Sequence, residues 1–300
     1  MKTIDLLITP PIVETNCYIN HTNEMIILDK QPYEGKLPIV DYELNQKDLN
    51  SFKTKVPPPK TNTYVLNIKE IDVKNGNVFL STNYTNMRSQ FALRRWIPEL
   101  NKDDKIRKII LNRIMPVGGE MVLETIDDYI LIEERGKSVE VSGLYMPAPA
   151  GGCETKDWRV FPKPFRSIKG EAWEETGQLP GEDYGNVTLI GVVRDQTHGY
   201  NPTFIYHAKS NLTLNETMMV AENIAPGAKE HASLLGIKSD EQSLLQFCLD
   251  YAPQLIGNGL GSLLSFGNNK FSNTDVWLST AIKELKNKNW DIRLHQRFPI

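Results

Sequence analysis

Cysteine is scarce: three residues, Cys17, Cys153 and Cys248, are scattered over 300 positions. An odd, unpatterned set supplies neither a disulfide framework nor the paired spacing of a zinc site, and a reducing compartment is the simpler setting. An excess of charge of either sign is lacking as well. A net charge of −3 gives no basic face of the kind nucleic-acid binders carry, so no nucleic-acid partner is expected. Long apolar runs are missing. No stretch reaches the roughly 18 to 20 apolar residues of a membrane helix, so no membrane partner is expected. The opening run, broken by Asp5 and Pro10, is too short for the apolar region of a signal peptide. Elimination leaves the cytoplasm as the expected location. The rest of the composition, 40% hydrophobic and 24% charged, is that of a globular protein able to build a core without disulfides or structural metal. The length allows one large or two modest domains.

Residues 1–60 are irregular and proline-rich, ending in Val56-Pro57-Pro58-Pro59, and read as an extended, poorly paired segment. Tyr64–Val73 alternates in part and predicts a strand. Asn75-Gly76 is a hairpin turn, because both residues tolerate positive φ, with Val78–Thr82 as the returning strand. Met87–Trp96 predicts a short helix, and Asp103–Ile114 another with an acidic start. Pro116, Gly118 and Gly119 then punctuate the chain and set the expected boundary, with 1–114 as a β-rich accessory region and 115–300 as the main domain. Strands are expected over Asp128–Glu134, Thr188–Arg194 and Thr203–Ala208, and tail helices around Glu241–Gly257 and Asp275–Asn287. Gly257-x-Gly259-x-Gly261 reads either as a phosphate loop or as close helix packing. His198 and His231 are either acid–base groups or satisfied structural histidines.

Lys169–Leu179 carries the chemistry. Glu171, Glu174 and Glu175 stand at i, i+3 and i+4, the spacing that shares one helix face. Three like charges on one face repel, and a hard divalent cation, which takes oxygen ligands, would neutralise them; a solvated acidic face is the bland alternative. Gly177 is placed to end the helix in the left-handed conformation. Upstream, Met146–Glu154 is a Pro/Gly turn whose Gly151 and Gly152 would let the backbone approach a phosphate. Within it Cys153 reads as a reactive thiol only if its surroundings are exposed and electropositive.

The run Gly170-Glu-Ala-Trp-Glu-Glu-Thr-Gly177 resembles the second half of the Nudix box, G-x5-E-x7-R-E-U-x-E-E-x-G-U, matching at Glu171, Ala172, Glu174, Glu175 and Gly177. Gly170 stands in place of the box arginine, Gln178 in place of the last aliphatic residue, and Trp158–Pro164 reads as an insertion after the glycine loop. Glu154 is the candidate for the early box glutamate. Looser echoes over residues 80–266, among them Leu80–Tyr84 and Tyr251–Phe266, are similar to the UDP-sugar diphosphatase branch.

The resemblance implies an α/β fold: a Nudix-type mixed β-sheet sandwiched by helices, with an N-terminal β-rich extension. It implies Mg²⁺-dependent hydrolysis, with Mn²⁺ as a substitute, of a small-molecule nucleotide, first a UDP-sugar to UMP and sugar 1-phosphate. Glu174 and Glu175 would be the main metal ligands, Glu171 a further ligand or the general base, and Glu230 a distal catalytic acid, with Glu222 behind it. Arg88 or Arg194 would hold the distal phosphate. Tyr84, Trp96, Trp158 and Tyr200 are the aromatic residues available to stack on the base. A monomer or homodimer is expected. The rival reading is a catalytically inactive nucleotide-binding sensor of the same fold.

Overall fold

The short apolar runs of the sequence become the strands of two sheets. The computed structural model describes residues 1–27, 39–41, 47, 50, 63–101, 107, 115–137, 142–155, 161, 163–196, 201–271 and 275–296. Its larger sheet runs, in spatial order, β13 (His231–Lys238), β7 (Tyr129–Arg135), β6 (Gly118–Glu124), β12 (Pro202–Lys209), β11 (Thr188–Asp195), β1 (Lys2–Val13) and β14 (Trp290–Leu294). The β6–β12 and β1–β14 pairs are parallel and the other neighbours antiparallel, so the sheet is mixed. The smaller sheet runs β10 (Glu154–Thr155), β4 (Tyr64–Lys74), β5 (Asn77–Asn86), β2 (Cys17–Ile27) and β3 (Ile39–Asp41).

Each face of the larger sheet buries its own core, because strand side chains alternate between faces. On one face Met121, Leu123, Leu131, Phe204 and Tyr206 pack with Phe165, Ile168 and Ala172 of helix α2 (Pro164–Thr176) and with Leu66, Ile68, Val78 and Leu80 of the smaller sheet. On the other, Ile4, Leu6, Val122, Ile130 and Ile205 pack with helices α4 (Glu241–Asp250), α5 (Gly257–Lys270) and α6 (Asp275–Asn287). Two further helices are α1 (Met87–Arg95) and α3 (Leu214–Asn223). The architecture is therefore α/β, a mixed sheet with helices on both faces and a β-rich N-terminal part. No helix among the described residues is long and apolar enough to cross a membrane, which says nothing of spanning by strands.

The proline-rich N-terminal stretch was expected to pair poorly, yet β1 lies between β11 and β14. Its register with β11 is regular from Ile4 to Ile8, shifts across 9–11 where Pro10 and Pro11 sit, and resumes at Ile12, so the prolines occupy an irregularity rather than a ladder position. With β1 in the larger sheet and β10 in the smaller, the two sheets do not divide the chain at residue 114. The glycines at 257, 259 and 261 lie inside α5, where added methyl groups would meet Asp195, Met146 and Val193. They are packing glycines, the second of the two readings of this motif. The helix expected over 103–114 falls outside the described residues apart from Arg107.

One buried ion cluster carries a measurable stability term. Glu124, at the end of β6, accepts from Ser239 Oγ at 2.7 Å, from His207 Nε2 at 3.2 Å and from Lys270 Nζ. Burial works against its charge, but these donors outweigh it and push the carboxyl down to about 2 from an ordinary 4.5. The folded value lies below the unfolded one, so the stability is present above pH 4.5 and is lost as pH falls through that window towards 2. Glu124→Gln is expected to cost on the order of 2 kcal/mol at neutral pH. It should also flatten the acid limb of a urea-unfolding series; an unchanged limb would contradict the assignment.

Candidate functional site

The site is assembled where β6 and β7 part. These strands pair only at Glu124 and Ile130, and the segment after β7 fills the gap. β8 (Tyr145–Pro147) pairs with β7, the chain crosses a cis Ala148–Pro149 bond, and β9 (Ala150–Gly152) pairs with β6. The backbone then reaches the smaller sheet, with Cys153 O accepting from Leu66 N at 2.9 Å and Glu154 opposite Val65. This single segment joins both sheets and lays its glycines against α2.

Helix α2 starts on Pro164, whose fixed φ suits the first helical position. It stops at Gly177, in the left-handed conformation at φ 68°. Its buried stripe is Phe165, Ile168, Ala172, Glu175 and Thr176. Glu175 therefore belongs to the inward face, while Glu171 flanks it half-buried and Glu174 is exposed. The three glutamates thus differ in exposure, and a solvated acidic face does not describe them.

Glu175 is 4% exposed and its Oε2 accepts from Ala150 N at 2.8 Å, which ties the helix to β9. Burial, and next the Glu133 carboxylate, push its carboxyl well above the usual range. Glu171 faces Gly151 so closely that a methyl group there would overlap the Glu171 carboxyl carbon and both oxygens. Burial first, then the charges of Glu174, Glu154 and Glu230, push the Glu171 carboxyl up to about 8. Gly152 lies in the same way against Glu154, a methyl group there falling 2.6 Å from Oε1. Glu154 Oε2 accepts from Thr63 Oγ1 at 2.7 Å.

The predicted residues Glu171, Glu174, Glu230, Gly151 and Gly152 thus gather with Glu154 around one corner of α2. The oxygen-only, mutually repelling donor set has the chemistry of a hard-cation site. Its side chains do not converge on one point, for among the described residues no three acidic, histidine or cysteine side chains are grouped to hold a metal ion. Glu222 is exposed on α3.

Other expected contacts are placed differently. Tyr84 and Trp96 are 1% and 2% exposed, so neither ring face is open to a base. Tyr84 is turned inward with Leu80 by the alternation of β5 and sits edge-on to His21. Arg194 is buried in β11, 9% exposed, and Arg88 is half-buried on α1. Trp158, Tyr200 and His198 lie outside the described residues. Cys153 is buried beside Ser167 Oγ at 3.3 Å, and burial pushes its thiol up to about 12, so it is not a reactive thiolate.

Of the groups that brace the site, sequence reading named His231 and missed Glu133. Glu133, buried on β7, accepts from Arg135 Nη1 at 2.9 Å and from His231 Nδ1. His231 Nε2 reaches the Glu175 backbone oxygen at 3.1 Å. Burial opposes charge on this ring, but the Glu133 carboxylate outweighs it and holds the pKa above its ordinary value. The available signal was Glu133 in phase with Leu131, a carboxylate at an inward strand position.

No family model matches the chain, and no curated protein matches it. The solved structures that match include two described as Nudix hydrolases and one described as a MutT protein. The chain is similar to a Nudix hydrolase from M. smegmatis, RenU, at 14% identity over 53% of this chain and 86% of that one, with a TM-score of 0.33. It is similar to the MutT protein of Methanosarcina mazei Go1 at 13% identity over 53% and 95%, TM-score 0.30. It is also similar to a Nudix-family hydrolase from Clostridium perfringens at 15% identity over 50% and 95%, TM-score 0.30. No substrate or mechanism follows from likenesses this low.

Proposed function

We propose that this chain is a divalent-cation-dependent hydrolase of a nucleoside diphosphate-linked small molecule, with a UDP-sugar as first choice, yielding UMP and a sugar 1-phosphate. The observation that carries the reading is the packing of bare glycine backbone at 151 and 152 against Glu171 and Glu154. A backbone without side chains beside gathered carboxylates leaves room for phosphate oxygens.

Glu171 and Glu174 would hold the cation, Mg²⁺ or Mn²⁺, with Glu154 and Glu230 on the flank. Glu175 keeps Oε2 on the Ala150 N–H and has Oε1 to offer. A bound divalent cation neutralises diphosphate charge and lowers the pKa of an attacking water. Glu230, exposed beside the end of α2, would accept a proton from that water. Gly151 and Gly152 would lie along the diphosphate. The UDP-sugar choice rests on the sequence resemblance alone.

The test compares kcat/KM for UDP-glucose, ADP-ribose and a nucleoside triphosphate with Mg²⁺ or Mn²⁺, read as phosphate released after a phosphatase step. UDP-glucose is expected to lead. A tenfold preference for either competitor, about 1.4 kcal/mol of discrimination, removes the UDP-sugar and leaves a diphosphatase. A nucleotide-binding sensor is the second reading, favoured by the absence of three converging ligands among the described residues. Nucleotide binding with no turnover would decide for it.

A further inference from the structure

The segment leading into β13 grips the end of α2 by its backbone. The last carbonyls of a helix have no partner within it. Two of those of α2 are taken from this segment: Glu174 O accepts from Gly227 N at 2.6 Å, and Glu175 O from His231 Nε2 at 3.1 Å. The same segment is held from its other side, since Gly136 N donates to Glu230 O at 2.8 Å and Glu133 holds His231 Nδ1. Glu230 stands between these attachments, next to His231 in sequence and close enough to Glu171 for the two charges to interact.

Both ring nitrogens of His231 face acceptors, a carboxylate and a carbonyl, and its side chain is 4% exposed. A ring in that position is fixed in orientation by two bonds on opposite edges. One bond is to β7 in the sheet and the other to the helix that carries Glu171 and Glu174, so the ring sets the distance between them.

We infer that His231 is a positioning residue that locks the end of α2 to β7 through Glu133 and thereby holds Glu230 beside the end of the helix that carries Glu171. The inference rests on the proposed metal-dependent function, because the arrangement it maintains is the carboxylate cluster of that site. His231 itself touches no substrate in this scheme. It works through Glu230, and removing it should cost the site the contribution of Glu230 without melting the fold.

Two substitutions separate its two bonds. His231→Asn keeps a polar atom near the Nδ1 position and drops the bond to the helix carbonyl. His231→Gln reaches the helix carbonyl and drops the bond to Glu133. Each is combined with Glu230→Gln, and Mn²⁺ affinity of the protein without substrate is read from the electron paramagnetic resonance signal of free Mn²⁺, beside thermal unfolding without metal. The expected result is that His231→Asn, His231→Gln and Glu230→Gln each weaken Mn²⁺ binding by about tenfold, and that each double variant is no weaker than its singles, the signature of groups acting as one unit. Additive losses, or a lowered melting temperature with unchanged Mn²⁺ affinity, would overturn the inference and leave His231 a structural residue. If one His231 variant fails to fold, the other carries the cycle. If the unaltered protein binds no Mn²⁺, the functional reading itself falls and this inference with it, an outcome distinct from additivity.

Discussion

Glu171→Gln is expected to make the metal-free protein more stable at pH 8, and to make it indifferent to Mg²⁺. The carboxyl of Glu171 is pushed up to about 8 in the folded chain, by burial and then by Glu174, Glu154 and Glu230, from an ordinary 4.5. The folded value exceeds the unfolded one, so the folded chain holds a proton that the unfolded chain has released. Metal-free stability must therefore fall as pH rises from 4.5 to about 8. Glutamine is uncharged across that window and removes the loss, a gain on the order of 2 kcal/mol at the alkaline end once partial solvent screening is allowed for. Excess Mg²⁺ should reverse the order, because a ligand that binds only the folded state stabilises it. The unaltered protein would gain melting temperature with added Mg²⁺ and the variant would not. A flat pH profile for the unaltered protein would remove the charge-crowding account of Glu171. Equal Mg²⁺ responses would remove its assignment as a ligand.

The parts of this fold that the sequence disclosed are those set by neighbours along the chain. The hairpin at Asn75-Gly76 forms with φ of 50° and 73°, as the residue types require. Helix α2 ends on Gly177 for an equally local reason. Where the deciding contact is remote, the reading failed. β1 was masked by Pro10 and Pro11, because nothing nearby announces that Ile4–Ile8 will pair with Gly191–Asp195. In α5, four glycines weaken the helix on propensity, and each lies where a residue of a neighbouring strand or helix leaves no room for a side chain.

The candidate site divides the same way. The spacing of Glu171, Glu174 and Glu175 singled out the helix, and the structure sets Gly151 against Glu171 and Gly152 against Glu154. The spacing could not tell that the apolar stripe of α2 includes the Glu175 position, which turns that carboxylate inward to the Ala150 amide. Nor could it pair His231 with Glu133, 98 residues away. Aromatic residues were the weakest guide. Tyr84 and Trp96 were read as surfaces for a base and are core residues, since an aromatic side chain on a half-covered strand or helix gains most by burial.

Gly151→Ala is expected to abolish activity while leaving the fold intact, and the separation of the two effects is its value. The added methyl group would overlap the carboxyl end of Glu171 rather than any backbone. A flexible side-chain end can swing aside, so β9 can keep its pairing with β6 at Gly119 and the melting temperature should change little. What moves is the carboxylate at the centre of the cluster. Misplacing a positioned group by about an ångström costs about 10²-fold in rate, so turnover should fall at least that far and Mn²⁺ affinity should fall with it. Gly185→Ala is the control, since a methyl group there meets nothing within 4 Å. The double variant Gly151→Ala with Glu171→Gln decides between causes. If the methyl group acts by displacing Glu171, the double variant will be no worse than Glu171→Gln alone. An active Gly151→Ala protein with an unchanged KM would reduce β9 to a connector and remove the observation on which the functional proposal stands.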